Sequence, residues 1–129
     1  MELLSMKKEH LEWIKIAEKD LLTAKTMIEI DTPPLEIICY HCEQAAEKYL
    51  KAYLIFNGEP IAKTHDLVFL NKKCIERDKD FEKITKECIR LTNYGVNIRY
   101  PNFMDIIRED AEIALRDVKK IIDLINKKI

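Results

Sequence analysis

The residues best suited to chemistry lie on one predicted helix in the first half of the chain. The segment from Cys39 to Leu54 reads Cys-Tyr-His-Cys-Glu-Gln-Ala-Ala-Glu-Lys-Tyr-Leu-Lys-Ala-Tyr-Leu, and at about 100° per residue its apolar side chains share one broad face. The polar side chains along the border of that face are His41, Gln44, Lys48 and Lys51. Ammonium and amide groups bind anions and hydrogen-bonding edges, so this border is where we expect a ligand or partner to be recognised.

Asp20 is a polar residue on an otherwise apolar helix face. It shares the arc of the first predicted helix that carries Trp13 and Ala24, so its carboxylate should lie at or near the core. A buried carboxylate needs a cation or several hydrogen-bond donors, because an unpaired one costs several kcal/mol. The candidate partners are Lys48, His65 and Arg99. Such a pair could serve only to specify the bundle.

A larger polar set favours binding over a purely structural contact. Besides the border residues of the second helix, it contains His65 at the start of the third predicted helix and Tyr94, Arg99 and Tyr100 around a later helix interruption. Charged donors together with aromatic rings suit a phosphate group and a base. The nucleotide-binding residues that we predict are Gln44, Lys48, His65, Tyr94, Arg99 and Tyr100.

The four cysteines predict buried, reduced thiols rather than a metal site. Cys39 and Cys42 are three residues apart, but zinc sites need a second close pair, and Cys74 and Cys88 lie on separate predicted helices. A redox Cys-x-x-Cys motif normally opens a helix after a strand, which this chain does not offer. We therefore predict no metal, no other cofactor and no disulfide.

Composition and charge limit the class of protein. The chain has 129 residues, of which 47% are hydrophobic and 35% charged, with only two Gly and four Pro, and this predicts one ordered, helical domain over 1–129. A net charge of −1 gives no global attraction to nucleic acid or anionic membranes. With no apolar run suited to a signal peptide or a membrane span, a cytoplasmic location is expected.

The helix pattern predicts an all-α fold. We expect helices over residues 8–29, from the Asp31–Pro34 break to Phe56, from Thr64 onward, around 81–91 and over 103–127. Thr32 and Thr64 are the expected caps, Pro33 the expected first-turn residue, and Asn57 to Pro60 an αL-type stop. Short connections between long helices predict an antiparallel up-and-down bundle of four or five helices. Ile16, Ile89, Ile106 and Ile107 are expected on core-facing stripes.

In order along the chain, these residues resemble the HEPN domain family, named for nucleotide binding in higher eukaryotes and prokaryotes. The matching elements are Trp13 with Ala17 and Asp20, the segment Cys42 to Leu54, Lys63-Thr-His-Asp-Leu67, and Tyr94 with Arg99-Tyr-Pro101. The resemblance implies a helical bundle that forms a homodimer and is often encoded beside a minimal nucleotidyltransferase, as a toxin and antitoxin. It also implies either nucleotide binding, with ATP or GTP as candidates, or metal-independent cleavage of RNA.

The RNA-cleaving members of the family carry an Arg and a His separated by four to six residues, and this pattern is absent here. The corresponding positions are Met104 to Ile106 after Arg99 and Gly95 to Asn97 after Arg90, and the histidines are at 10, 41 and 65. The chain thus resembles the branch without the nuclease motif, and we assign no catalytic residue. Two alternatives stay open: an RNase in which His65 or His41 supplies the base, and a dimeric bundle that serves only in assembly.

Overall fold

The described residues of the chain fold into a bundle of five α-helices. The computed structural model describes residues 2–95 and 105–129, with side chains from Lys8 onward. The helices are α1 (Glu2–Met27), α2 (Leu35–Phe56), α3 (Leu67–Arg77), α4 (Thr85–Leu91) and α5 (Arg108–Asn126), with short 3-10 helices at Lys79–Ile84 and Thr92–Gly95. No strand occurs in these two ranges. The predicted all-α, antiparallel up-and-down bundle is confirmed.

The second helix, α2, lies at the centre of the bundle, because α1, α3 and α5 all pack against it. Its predicted apolar face is buried, and the core continues through Leu67, Phe81 and Val118. The rings of Tyr53 and Phe81 lie 4.5 Å apart. A central helix has little solvent-facing surface, so polar residues on α2 have to be satisfied by neighbouring elements.

The connection between α1 and α2 corrects the predicted helix start. The predicted cap, Thr32, has a φ of 53°, in the left-handed region, where it turns the chain. Pro33 precedes another proline, which disfavours the α conformation at Pro33. The helix therefore begins at Leu35, with Pro34 at the cap position and no side-chain cap.

The end of α2 confirms the predicted αL-type stop. Gly58 has a φ of 85°, a conformation that costs glycine little. The amide of Gly58 donates to the Ile55 carbonyl at 2.9 Å, and the amide of Glu59 donates to the Leu54 carbonyl at 3.0 Å. This pair of bonds is the Schellman arrangement, which satisfies the last carbonyls of the helix.

The helix α3 is capped by Asp66, whereas Thr64 was expected in that role. Asp66 Oδ1 accepts a hydrogen bond of 2.9 Å from the Val68 amide, and Thr64 Oγ1 accepts one from the Asp66 amide at 3.1 Å. The turn at Thr64 delays the helix by two residues. It leaves His65 just outside the helix, where its side chain can reach α2.

The fourth and fifth helices differ most from the predicted bounds. The α5 helix begins at Arg108, and residues 105–107 precede it without helical structure, while Phe103 and Met104 lie outside the described residues. Ile107 is 58% exposed because it sits at the cap position, where the Asp110 carboxylate accepts from its amide at 3.0 Å. Ile89 and Ile16 are also exposed, since each lies at the edge of its apolar stripe.

The predicted core position Ile106 is half-buried and packs against the core. Arg90 joins α4 to α5 through two hydrogen bonds of 2.8 Å to the Asp117 carboxylate.

None of the helices in residues 2–95 and 105–129 combines the length and the apolar character of a membrane span.

Candidate functional site

Polar side chains form a continuous row along α2, which we call the polar seam. Three of them, Glu43, Glu47 and Lys51, are buried within a helix that is covered on most sides. The seam consists of Asp20, His41, Glu43, Gln44, Glu47, Lys48, Lys51 and His65. It joins α1 on one side to the start of α3 and the 3-10 helix Thr92–Gly95 on the other.

On the α1 side, Asp20 binds two residues of α2. Lys48 Nζ donates to Asp20 Oδ2 at 2.6 Å, and His41 Nδ1 lies 3.0 Å from Asp20 Oδ1. The Asp20 side chain is 13% exposed, so this carboxylate is paired where the sequence required a partner. Lys48 was among the expected partners, whereas His41 was not, and the expected partner His65 binds elsewhere.

On the α3 side, Glu47 binds Lys51 and His65. Lys51 Nζ donates to Glu47 Oε2 at 3.0 Å, and His65 Nδ1 lies 2.9 Å from Glu47 Oε1. Glu47 is 5% exposed and His65 is 65% exposed, so a buried carboxylate holds an accessible imidazole. Lys51 also lies over the Trp13 ring, 5.6 Å from its centroid. That contact ties this half of the seam to α1.

The two histidines share one protonation pattern. An ionised carboxylate can only accept hydrogen bonds, so Nδ1 of His41 and of His65 must carry the hydrogen. In the neutral ring this leaves Nε2 as an acceptor. Because His65 is mostly exposed, its Nε2 is available to a ligand or to a proton-transfer step.

Between these two groups lies Glu43, which is fully buried. Gln44 Nε2 donates to Glu43 Oε1 at 2.8 Å, but Oε2 has no hydrogen-bond partner among the described residues. Burial, together with the nearby Glu47 charge, raises the pKa of Glu43 to about 8. The carboxyl group lies against Gly95, where an added Cβ would come within 2.5 Å of its carbon. Gly95 is thus the residue that allows the 3-10 helix to approach α2.

Tyr94 is half-buried beside the seam and faces inward. Its hydroxyl lies beside the Cys39 thiol, and burial raises the Tyr94 pKa to about 12. The phenol therefore stays protonated. Of the six predicted nucleotide-binding residues, Gln44 and Lys48 lie on α2, His65 lies just before α3 and Tyr94 lies on the 3-10 helix Thr92–Gly95, so these four border α2 from more than one side. Arg99 and Tyr100 lie outside the described residues.

The sequence alone did not identify Glu43 and Glu47 as site residues. Both resemble solvent-facing glutamates of a lysine-rich helix. Their spacing was a usable signal. Cys39, Glu43 and Glu47 follow one another at intervals of four residues, so both glutamates lie on the helix face that carries the buried Cys39 thiol.

Thiol and metal chemistry find little support in the described residues. All four cysteines are free and buried, and burial raises the pKa of each thiol, to about 12 for Cys39, so each stays protonated. Within residues 2–95 and 105–129 no three His, Cys, Asp or Glu side chains lie close enough together to hold a metal ion.

Two surface cavities lie away from the polar seam. One, of about 340 Å³, is lined by the connection between α2 and α3 together with Phe69 and Lys73. The other, of about 470 Å³, lies between the 3-10 helix Lys79–Ile84 and α5. Neither is lined by a seam residue. In the described residues the seam thus consists of three neighbouring hydrogen-bonded groups, and its edges reach solvent at His41, Gln44, Lys48 and His65.

Comparisons with known proteins agree with the fold and the motifs. The family model for the HEPN domain matches residues 10–128. A protein of Methanocaldococcus jannaschii described as "Putative toxin MJ1304" is 28% identical, over 88% of this chain and 83% of that protein. The crystal structure of TT1696 from Thermus thermophilus superposes with a TM-score of 0.81, covering 95% of this chain and 99% of that one. Its identity of 24% supports the shared fold alone. The match over nearly the whole chain establishes that this protein belongs to the HEPN domain family.

Proposed function

We propose that this protein is the HEPN component of a two-component, toxin-antitoxin-like module and that it binds a nucleotide at the polar seam. The observation that carries the proposal is the seam itself. Three carboxylates and two lysines lie on the central helix or against it, largely shielded from solvent. Burying them costs desolvation energy that aliphatic side chains would avoid. Such clusters are concentrated at functional sites.

The relative described as a toxin supports the module-like role, since the similarity extends over most of both chains. The partner we propose is a minimal nucleotidyltransferase, and the assembly a cytoplasmic homodimer of single-domain chains. The partner and the homodimer follow from the family resemblance, whereas the location and the single domain follow from the sequence pattern and length.

The exposed edge of the seam has the groups that a nucleotide requires. His65 Nε2 can accept from a ribose hydroxyl, and the Gln44 amide can bind a base edge. Lys48 is 18% exposed and already paired with Asp20, so a phosphate would have to share or replace that carboxylate. We therefore assign the principal phosphate contact to Arg99 and base stacking to Tyr100, with the inward-facing Tyr94 lining the inner wall of the site. With Gln44, Lys48 and His65, these complete the proposed site.

Isothermal titration with ATP and GTP tests this proposal. His65→Ala removes an exposed side chain and leaves Glu47 paired with Lys51, so the bundle should stay folded. We expect this variant to weaken binding at least about tenfold, and Arg99→Ala to abolish it. Lys72→Ala, an exposed change on α3, is the matched control and should bind as the wild type does. Absence of binding to the wild type, or equal losses in all three variants, would contradict the proposal.

A second candidate, cleavage of RNA, is favoured by the contact between His65 and Glu47. A buried carboxylate that orients an exposed imidazole resembles the base-orienting pair of general acid-base sites. If His65 is the base, His65→Gln should lower the cleavage rate at least about a hundredfold while RNA affinity changes little. Parallel loss of cleavage and affinity would indicate a binding role for His65 instead.

A further inference from the structure

A concave, strongly basic surface lies on a part of the molecule that the polar seam does not reach. It is the cavity of about 470 Å³ between the 3-10 helix Lys79–Ile84 and the second half of α5. Six cationic side chains and two carboxylates line it: Lys83, Arg116, Lys119, Lys120, Lys127 and Lys128, with Asp80 and Asp123. We call this surface the basic groove. The lining cations exceed the lining carboxylates by four, and by two when the paired carboxylates of Asp78 and Glu87 are included, which contrasts with the net charge of −1 for the whole chain.

Ion pairs hold several of these lysines in place. Lys128 Nζ lies 2.8 Å from Asp78 and 2.6 Å from Asp80, and so joins the end of α5 to the 3-10 helix. Lys119 pairs with Asp123 at 3.0 Å, and Lys120 with Glu87 at 2.9 Å. The groove is therefore an organised surface and not only a set of unconnected lysines.

Two cations of the groove remain available to a ligand. Among the described residues, Arg116 and Lys127 have no carboxylate oxygen within 4.0 Å, and both are exposed. Arg116 lies on α5, and Lys127 is the C-cap residue that follows this helix with helical backbone angles. The two are eleven positions apart, which is about three helical turns, so they point in nearly the same direction. An acidic ligand that spans them would run along the helix.

The lining of the groove distinguishes a protein ligand from a nucleic acid. The half-buried Leu124 contributes aliphatic surface above the buried Ile84, and among the described residues no aromatic side chain lines the groove to stack on a base. Asp80 and Asp123 lie among the lysines, where they would repel a closely spaced phosphate backbone. Mixed charges around an aliphatic floor match a segment that alternates acidic and aliphatic side chains.

We propose that the basic groove docks an acidic, leucine-bearing segment of a partner protein, with its carboxylates on Arg116 and Lys127 and its aliphatic side chains on Leu124. The groove and the polar seam share no residue. The proposal therefore stands or fails independently of nucleotide binding.

A titration followed by two-dimensional NMR tests the proposal on the full chain. The probe is a synthetic helical peptide with glutamates along one face and leucines beside them, and the control peptide has glutamine at each glutamate. We expect shifts of amide signals confined to residues 80–84 and 116–128 with the acidic peptide, and none with the glutamine peptide. Shifts spread over exposed lysines elsewhere would overturn the proposal, because they would indicate unspecific attraction.

Charge reversal supplies the second arm. The double variant Arg116→Glu with Lys127→Glu should bind the acidic peptide at least about tenfold more weakly than the wild type does. The control, Lys63→Glu with Lys72→Glu, makes the same change in net charge outside the groove and should leave the affinity for the peptide nearly unchanged. A lysine version of the peptide should bind the groove variant more tightly than it binds the wild type. Equal losses in the two double variants, or a single-stranded RNA that binds the groove more tightly than the peptide, would overturn the assignment to a protein partner.

Discussion

At the scale of single residues, the three seam carboxylates are stabilised in different ways. Asp20 and Glu47 each bind one lysine and one histidine. Glu43 has only the Gln44 amide, and burial favours its neutral form. The central carboxyl of the seam therefore keeps its proton well above the ordinary range of a glutamate.

This difference predicts a pH dependence of stability that originates at Glu43. Its folded pKa of about 8 lies above that of an unfolded glutamate, so the folded state holds one more proton than the unfolded state between about pH 5 and 8. The contribution is fully present below the unfolded pKa and is lost as pH rises through the folded one. We expect the free energy of unfolding to fall by as much as about 1.4 kcal/mol for each pH unit in that window.

Glu43→Gln isolates this effect, because glutamine has nearly the same shape and does not titrate. The measurement is urea unfolding of both proteins across the window, and other titrating groups contribute equally to the two curves. The variant should become the more stable protein toward pH 9. Parallel curves would show that the Glu43 carboxyl is already ionised at neutral pH.

At the scale of secondary-structure elements, the sequence predicted those helix boundaries that depend only on neighbouring residues. The αL stop at Gly58 and the unbroken pattern up to Phe56 were readable, because a glycine and a helical period act over a few residues. The start of α5 was not readable, since the apolar pattern extends back to Ile106 while Asp110 caps the helix through the Ile107 amide. A stripe of apolar residues shows which face is buried, but it does not mark the first residue of a helix.

The elements also explain how much of the site was predictable. His41, Gln44, Lys48 and Lys51 were identified because a helical wheel places them beside the apolar face. Their partners were harder to predict, since the pairing of His65 with Glu47 depends on how α3 starts. The two-residue delay of that start brings an exposed imidazole to a buried carboxylate. This pairing depends on how α3 packs against α2, and so it cannot be predicted from a helical wheel.

At the scale of the whole molecule, α1 leaves a long face uncovered by the described residues. It packs mainly on α2, and Leu11 and Leu22 are 46% and 65% exposed. They are eleven residues apart, so they share one face together with Lys15 and Glu18. Two antiparallel copies of such a face would bring leucines together and lysines opposite glutamates, which is the self-complementary arrangement that a two-fold interface requires.

We therefore expect the homodimer implied by the family to use this face of α1. Leu22→Glu should shift the molar mass from that of a dimer toward that of a monomer in light scattering at micromolar concentration, because each new carboxylate would be buried without a cation against Leu11 of the other copy. Its thermal stability at high dilution should match that of the wild type, since Leu22 contributes little to the core. Ile89→Glu, the same kind of change at an exposed aliphatic residue of α4, is the control and should stay dimeric. A wild type that is monomeric at this concentration would rule out the dimer, and a dimer unaffected by Leu22→Glu would place its interface on another face.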